Sequence, residues 1–340
     1  MKIAVIGGVT STRLLIEKLH QHQFEDVHVF GYTPANTENV SGWVDLSDLA
    51  DRNGYSFTHF ARISDCTAII SQLEPELLFA VGLSQLIPDS ILSVPRLGSV
   101  GFHPTALPKG RGRAPIAWLV LEQMDGAATF FSLREGVDDG PIFVQEPFKV
   151  NSEDTAATVE AKVLLAEGNA LDRWLPQLAA GSMAAIEQDH TMATWYGRRT
   201  PEDGWINWHE SAETLLRLIS ASTHPHPGAY TFRLDKKIYI FAAHLEKNHP
   251  ELGVAGRILR VEKSGAFTVQ CGERQVITVS EWEASSDWSP KVGELLGYYV
   301  EAEINNLRQA YNNLEEKVKE LEKFIKISNS RLPTQQFPPN

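Results

Sequence analysis

The chain has 340 residues and a net charge of −12, with a mean hydropathy of −0.20. That length exceeds one ordinary domain, so two or three are expected, and the acidic balance argues against a polyanion as partner, because nucleic acid is held by Lys and Arg that displace counterions. No apolar run is long enough for a membrane span, and the opening eight residues read as a strand and tight turn rather than a secretory leader. Cys66 and Cys271 alone supply neither a disulfide framework nor a cysteine metal cluster. A soluble cytoplasmic protein without a metal is expected.

Residues 3–6 form a buried-type strand, and Ser11 is placed to cap a helix carrying Leu14, Leu15 and Leu19 on one face. A strand at 27–30, a short helix at 45–50, a helix at 63–73 and strands at 76–82 and 98–103 follow. Then come a helix at 114–124, strands at 127–133 and 142–150, and a long helix at 155–178. Strands separated by helices imply an α/β, doubly wound, mostly parallel Rossmann-like sheet, in which ligands sit beyond the carboxyl ends of the strands. Gly82 and His103 both fall at such ends. The Gly7-Gly8 turn lacks the Gly-x-Gly-x-x-Gly spacing of a dinucleotide fingerprint.

The periodicity breaks over residues 181–204, which separates a first domain at 1–190 from a second at 200–292. The second holds Trp205 to Trp208, a helix with Leu215, Leu216 and Ile219 on one side, and a rigid His-Pro-His-Pro-Gly turn at 224–228. Short strands at 229–234, 238–242, 254–261, 265–269 and 275–279, joined by Gly turns, suggest a small OB-like β-barrel. Residues 201–293 carry 10 basic against 12 acidic side chains, a poor footprint for nucleic acid.

Val300, Ile304, Leu307, Tyr311, Leu314, Val318, Leu321 and Ile325 then repeat at alternating spacings of four and three. This is a heptad seam, and residues 295–327 read as a coiled-coil helix. β-Branched residues at one seam position and Leu at the other favour a parallel two-stranded coil and hence a homodimer. A single amphipathic helix packed on its own chain would show the same pattern. Residues 328–340 have nothing to pack with and are expected to be disordered.

Two stretches carry chemistry. Residues 100–118 bring a strand to its end at His103, then break at His103-Pro104 and Leu107-Pro108 into a loop rich in Gly and Arg. Asp138 follows 35 positions later in the turn Gly136-Val-Asp-Asp-Gly140, room for a helix and a strand between them. A lone His at a strand end is equally a core residue; paired with an Asp it becomes a candidate for proton transfer. Asp139 reads as a turn-capping carboxylate. The pairs His20-x-His22 and His224-x-His226 have no carboxylate or Cys partner at metal spacing.

The segments Gly101-Phe-His103-Pro-Thr-Ala-Leu107-Pro108, Arg111-Gly-Arg-Ala-Pro115 and Gly136-Val-Asp138-Asp-Gly140 resemble the 10-formyltetrahydrofolate-dependent formyltransferases. Those enzymes show Asn-x-His, a Leu-Pro and Arg-Gly loop, and an Asp in a Gly-x-Asp-x-Gly turn. The resemblance continues through Arg198-Arg-Thr-Pro-Glu-Asp-Gly204, Trp208 and Pro227-Gly-Ala229, covers about residues 1–290 and omits the heptads. The two Arg-rich motifs lean towards the amino-sugar branch over methionyl-tRNA formyltransferase.

The resemblance implies an N-formyltransferase that moves a formyl group from 10-formyltetrahydrofolate to the primary amine of a nucleotide-linked amino sugar, for surface-glycan synthesis. His103 would hydrogen-bond the formyl oxygen or exchange a proton with the amine, with Asp138 as its partner. Val81, Gly82, Leu83 and Ile87, with Leu133 and Gly136, would form the folate pocket. Lys109, Arg111 and Arg113 would clamp the diphosphate, unless the two Arg are buried against their own domain. One departure stands out: Gly101 occupies the position of the family Asn. Thr105, a backbone N–H or a water would have to replace its donor, or the space admits an unusual substrate. Methionyl-tRNA formyltransferase, a non-catalytic folate-binding or regulatory homologue and a formyl-folate hydrolase are the alternatives. The first predicts a basic insertion loop and a basic barrel face, neither of which is found.

Overall fold

A computed structural model describes all residues except 38, 39, 84, 285, 286, 298, 299 and 331–340. In chain order the first part contains β1 (Ile3–Gly7), α1 (Thr10–Gln21), β2 (Val27–Tyr32), α2 (Ser47–Arg52), β3 (Ser56–Phe60), α3 (Thr67–Leu73), β4 (Leu77–Val81) and α4 (Asp89–Leu92). It continues with β5 (Ser99–His103), β6 (Arg111–Gly112), α5 (Pro115–Glu122), β7 (Gly126–Ser132), β8 (Ile142–Phe148), α6 (Ala156–Ala179) and β9 (Trp195–Tyr196).

Seven strands form one sheet in the order β3-β2-β1-β4-β5-β7-β8. The first five run parallel, and β7 and β8 pair antiparallel. The β-branched and aromatic runs of β1, β2 and β4 are buried on both faces, as central strands of an α/β sheet must be. Val5, Val29, Phe79 and Phe130 face Leu15, Leu171 and Trp174 of α1 and α6, while Ile6, Phe30 and Leu78 face Ile70 and Ile91 of α3 and α4. Trp174 meets Phe79 edge-on at 5.9 Å and stacks on Phe143 at 5.1 Å. The doubly wound, mostly parallel sheet expected from the strand–helix alternation is present.

Two local readings change. Ser11 does not cap α1; the helix starts at Thr10 and Ser11 lies inside its first turn. Thr12 does the work: its hydroxyl accepts from the N–H of Gly8 at 3.1 Å and donates to the carbonyl of Val81 at 2.7 Å. One buried hydroxyl thus satisfies the turn after β1 and fastens it to the end of β4. The edge strand β3, Ser-Phe-Thr-His-Phe, was not anticipated, because its polar residues mask the apolar alternation.

The second part contains α7 (Ala212–Ser222), β10 (Ala229–Arg233), β11 (Lys236–Leu245), β12 (Ile258–Val261), β13 (Phe267–Gln270) and β14 (Val276–Ala284). The five strands make an antiparallel sheet in the order β10-β11-β14-β13-β12, and no closed barrel forms among the described residues. Gly256, at φ +83°, turns the chain where a longer strand from Val254 was expected, which leaves β12 only four residues. The segment 293–297 lies over the gap instead: the Ile258 N–H donates to the Glu294 carbonyl and the Gly297 N–H to the Phe232 carbonyl. The core beneath α7 comprises Leu215, Ile219, Ile240, Ile258, Phe267 and Val279.

α8 (Val300–Ser330) is one 31-residue helix. Residues 331–340, most of the expected disordered tail, lie outside the described residues. Among the described residues no helix is long and apolar enough to cross a membrane, and no group of three or more His, Cys, Asp or Glu is placed to hold a metal ion.

Glu167 of α6 is fully buried and neither carboxyl oxygen has a hydrogen-bond partner. Desolvation raises its pKa well above the ordinary value, and the Ser11 hydroxyl, outside normal hydrogen-bond geometry, offsets this only in part. A raised carboxyl pKa stabilises the fold fully below the unfolded value of about 4.3 and loses that stabilisation as pH rises through the folded value. Glu167→Gln, which stays neutral, is therefore expected to raise Tm at pH 7 to 8 and to change it little at pH 4. Thermal unfolding at both pH values checks this, and equal shifts at the two would contradict it.

Candidate active site

β5 lies between β4 and β7 and ends in His103, only 5% exposed, at the carboxyl edge of the parallel sheet. Its Nε2 lies 2.9 Å from the Gly110 carbonyl. A carbonyl can only accept, so Nε2 carries the proton and Nδ1 is the bare nitrogen of the neutral ring. Nδ1 faces Asp138 Oδ2 at 3.7 Å, too far for a direct hydrogen bond. The two acceptors therefore converge without closing on each other.

Asp138 is held from three sides. Its backbone is left-handed, with φ +50°, a conformation that Asp tolerates better than most side chains. The N–H of Gly112 donates to Oδ2 at 2.8 Å. Gln188 donates from Nε2 to the carbonyls of Asp138 and Gly140, at 2.9 and 2.7 Å, and accepts from Arg111 at 2.7 Å through Oε1. Buried, satisfied polar groups of this kind fix a turn in one conformation.

Arg111 is 3% exposed, bonded to Gln188 and 3.1 Å from His190 Nδ1. That makes it an internal strut of the Asp138 turn and not a surface phosphate clamp. Lys109 and Arg113 are exposed. Thr105 is fully buried, with its hydroxyl 3.4 Å from the Gly110 carbonyl, so it points into its own loop and not towards an incoming carbonyl. Val81 is fully buried in the sheet core, which leaves only its backbone near the strand end. Gly82 and Gly136 are exposed, and Leu83 and Ile87 are half-buried against the smaller core cluster.

At Gly101 a Cβ would lie 2.7 Å from Leu133 Cδ2 and 2.9 Å from Phe131 Cζ. Those two side chains fill the place into which a larger residue would grow. Leu133, expected at the folate pocket, lies over Gly101.

Four further residues frame the site: Gln188, His190, Thr194 and Trp195. Gly110 donates to Thr194 Oγ1 at 2.8 Å, and β9 pairs with β6 through Arg111–Trp195 and Gly112–Tyr196. Trp195 is 62% exposed, with the Arg111 guanidinium 5.7 Å from its ring centroid. These residues lie in an aperiodic stretch; the adjacent aromatics Trp195-Tyr196 before the Arg-Arg pair were the one visible signal.

Models of two domains match the chain: formyl transferase over residues 1–175 and the formyl transferase C-terminal domain over residues 198–287. Among similar solved structures is HypX from Aquifex aeolicus in complex with tetrahydrofolic acid, at 17% identity and a TM-score of 0.60. The match covers 86% of this chain and 46% of HypX, so the chain spans about half of that protein's length. An N-formyltransferase from Helicobacter canadensis, in complex with folinic acid and dTDP-3-aminofucose, shares 14% identity over 82% of this chain and 98% of its own, with a TM-score of 0.64. WlaRD, a sugar 3N-formyl transferase solved with dTDP and 5-N-formyl-THF, shares 15% identity over 85% and 99%, with a TM-score of 0.63. These likenesses establish a common fold. With both domain models matched in chain order, this chain belongs to the formyl transferase family and is a transferase enzyme.

Proposed function

We propose that the enzyme transfers the formyl group of 10-formyltetrahydrofolate to the primary amine of a nucleotide-linked amino sugar, in the cytoplasm and for surface-glycan synthesis. The observation that carries this reading is the 3.7 Å gap between His103 Nδ1 and Asp138 Oδ2. An amine nitrogen placed about 2.9 Å from both can donate one hydrogen to each, which positions its lone pair and ties up its protons. On attack the amine nitrogen bonds to the formyl carbon, and its surplus proton passes to Nδ1. The C–N bond to the folate then breaks, and the proton returns to the folate nitrogen. Asp138 stabilises the imidazolium between those steps.

The folate supplies the activated formyl carbonyl. Gly82 and Gly136 offer backbone to the pterin edge and Leu83, Ile87 and Leu133 offer apolar cover. Lys109 and Arg113, both exposed, would meet the diphosphate, and the outer face of Trp195 would stack on the base. The ligands of the Helicobacter enzyme and of WlaRD support a nucleotide sugar, and the net charge of −12 disfavours tRNA.

Incubation with 10-formyltetrahydrofolate and a panel of nucleotide amino sugars tests this. Tetrahydrofolate release that requires the amine, with an N-formyl product in the mass spectrum, is expected. Amine-independent release would identify a formyl-folate hydrolase, and formylation of methionyl-tRNA instead would overturn the sugar reading. Trp195→Ala is expected to raise KM for the nucleotide sugar about fivefold, from roughly 1 kcal/mol of lost stacking, with kcat little changed and Trp195→Phe near wild type. An unaltered KM would remove Trp195 from the site.

A further inference from the structure

We infer that α8 pairs with α8 of a second copy of this chain as a parallel, in-register, two-stranded coil, so that both catalytic units stand at the same end of the assembly. This makes the partner expected from the heptads specific in direction and alignment, and it rests on the helix, not on the proposed chemistry. The helix runs 31 residues, about 46 Å at 1.5 Å per residue. Its seam residues Ile304, Leu307, Tyr311, Leu314, Val318, Leu321 and Ile325 are 41% to 67% exposed in the single chain. A continuous apolar stripe of that length left in water marks an association surface.

The charges beside the stripe identify the occupant. On one flank stand Glu303, Ala310, Lys317 and Phe324; on the other, Arg308, Glu315 and Glu322. In a parallel, in-register pair each flanking residue meets the one five positions later on the second copy. Glu303 then faces Arg308, and Lys317 faces Glu322, each twice by symmetry, with no like-charge contact among these residues. An antiparallel pair with aligned seams sets Glu303 against Phe324 and Lys317 against Ala310. It keeps only Arg308 with Glu315, half as many attractive contacts. The seam agrees, since Ile304, Val318 and Ile325 alternate with Leu307, Leu314 and Leu321, the distribution that favours two strands over three or four. Within one helix Lys319 pairs with the flanking Glu315 at 2.9 Å.

Sedimentation equilibrium of the full chain at about 10 μM is expected to give twice 37.8 kDa, and the variant Leu307→Asp/Leu314→Asp half that, with the main thermal transition of the two domains retained. Leu307→Cys is expected to form an intermolecular disulfide under mild oxidation. Background is low, because Cys66 and Cys271 are both buried. Lys317→Glu is expected to raise the dissociation constant about tenfold at low salt, through two repulsive contacts. Lys317→Glu/Glu322→Lys is expected to restore it. A monomer or a larger oligomer overturns the two-copy proposal. A dimer whose Leu307→Cys form does not cross-link, or which the charge exchange does not rescue, overturns the parallel register. Every one of these readouts survives a failure of the formyl-transfer reading, which they do not measure.

Discussion

His103→Ala is expected to lower kcat by about 10² to 10⁴, with a modest loss of stability. The imidazole ends β5 with a bare ring nitrogen facing the Asp138 carboxylate. Alanine removes that proton acceptor and leaves the Gly110 carbonyl without its ring donor, a cost of about 1 to 3 kcal/mol. Steady-state kinetics with the nucleotide sugar, read beside thermal unfolding, separates the two effects. Asp138→Asn keeps an oxygen to accept from Gly112 but removes the charge that steadies an imidazolium. Because the two residues act as a unit, His103→Ala/Asp138→Asn is expected to lose about as much as His103→Ala alone. Independent, multiplying losses would show that the pair does not share one proton, and full activity in His103→Ala would remove the mechanism.

Gly101→Asn is expected to lower both stability and activity, although it matches the family motif more closely. Gly101 pairs with Ala80 on β4 and Phe131 on β7, in the middle of the sheet, so its backbone has little room to move. The added side chain would meet Leu133 and Phe131 at separations below van der Waals contact. Overpacking of this kind costs about 1 to 3 kcal/mol, a fall in Tm of roughly 2 to 4 °C per kcal/mol for a unit of this size. Any shift of β5 also moves His103, two residues on. Leu133→Ala added to Gly101→Asn opens the space and is expected to recover much of the lost Tm. An asparagine that leaves Tm intact and raises kcat would show the space to be free and the missing donor to be catalytic.

In the proposed reaction the formyl oxyanion would find no side-chain donor at Gly101, and Thr105 would not replace it, because its hydroxyl is turned to Gly110. Losing one such donor lowers the rate by about 10² to 10³ in other acyl-transfer sites. The N–H groups of residues 110–112 do not supply it either, because those of Gly110 and Arg111 are taken by Thr194 and that of Gly112 by Asp138.

Long buried strands were legible because a run such as Ile-Ala-Val-Ile has one physical use, and the break at His103-Pro104 marked where the sheet ends. The His103–Asp138 pairing was legible from two motifs. β3 was not, since polar residues conceal its alternation, and the barrel was over-read, since strand spacing does not reveal whether edges meet. Gly256 turned the chain early, and the 293–297 segment took the closing position.

By itself the sequence determined which strands are central, where the loop after His103 leaves the sheet and that the last helix carries a heptad stripe, because each depends on periodicity or backbone chemistry within a few residues. Only the tertiary structure decided that Arg111 is a buried strut, that Thr105 faces inward, that Leu133 fills the space over Gly101, and that Gln188 and Trp195 belong to the site. Apart from Thr105, which turns to Gly110 in its own loop, those outcomes depend on contacts between residues some 30 to 80 positions apart. The burial and hydrogen-bond balance that selects such contacts is settled only when the whole sheet closes around them.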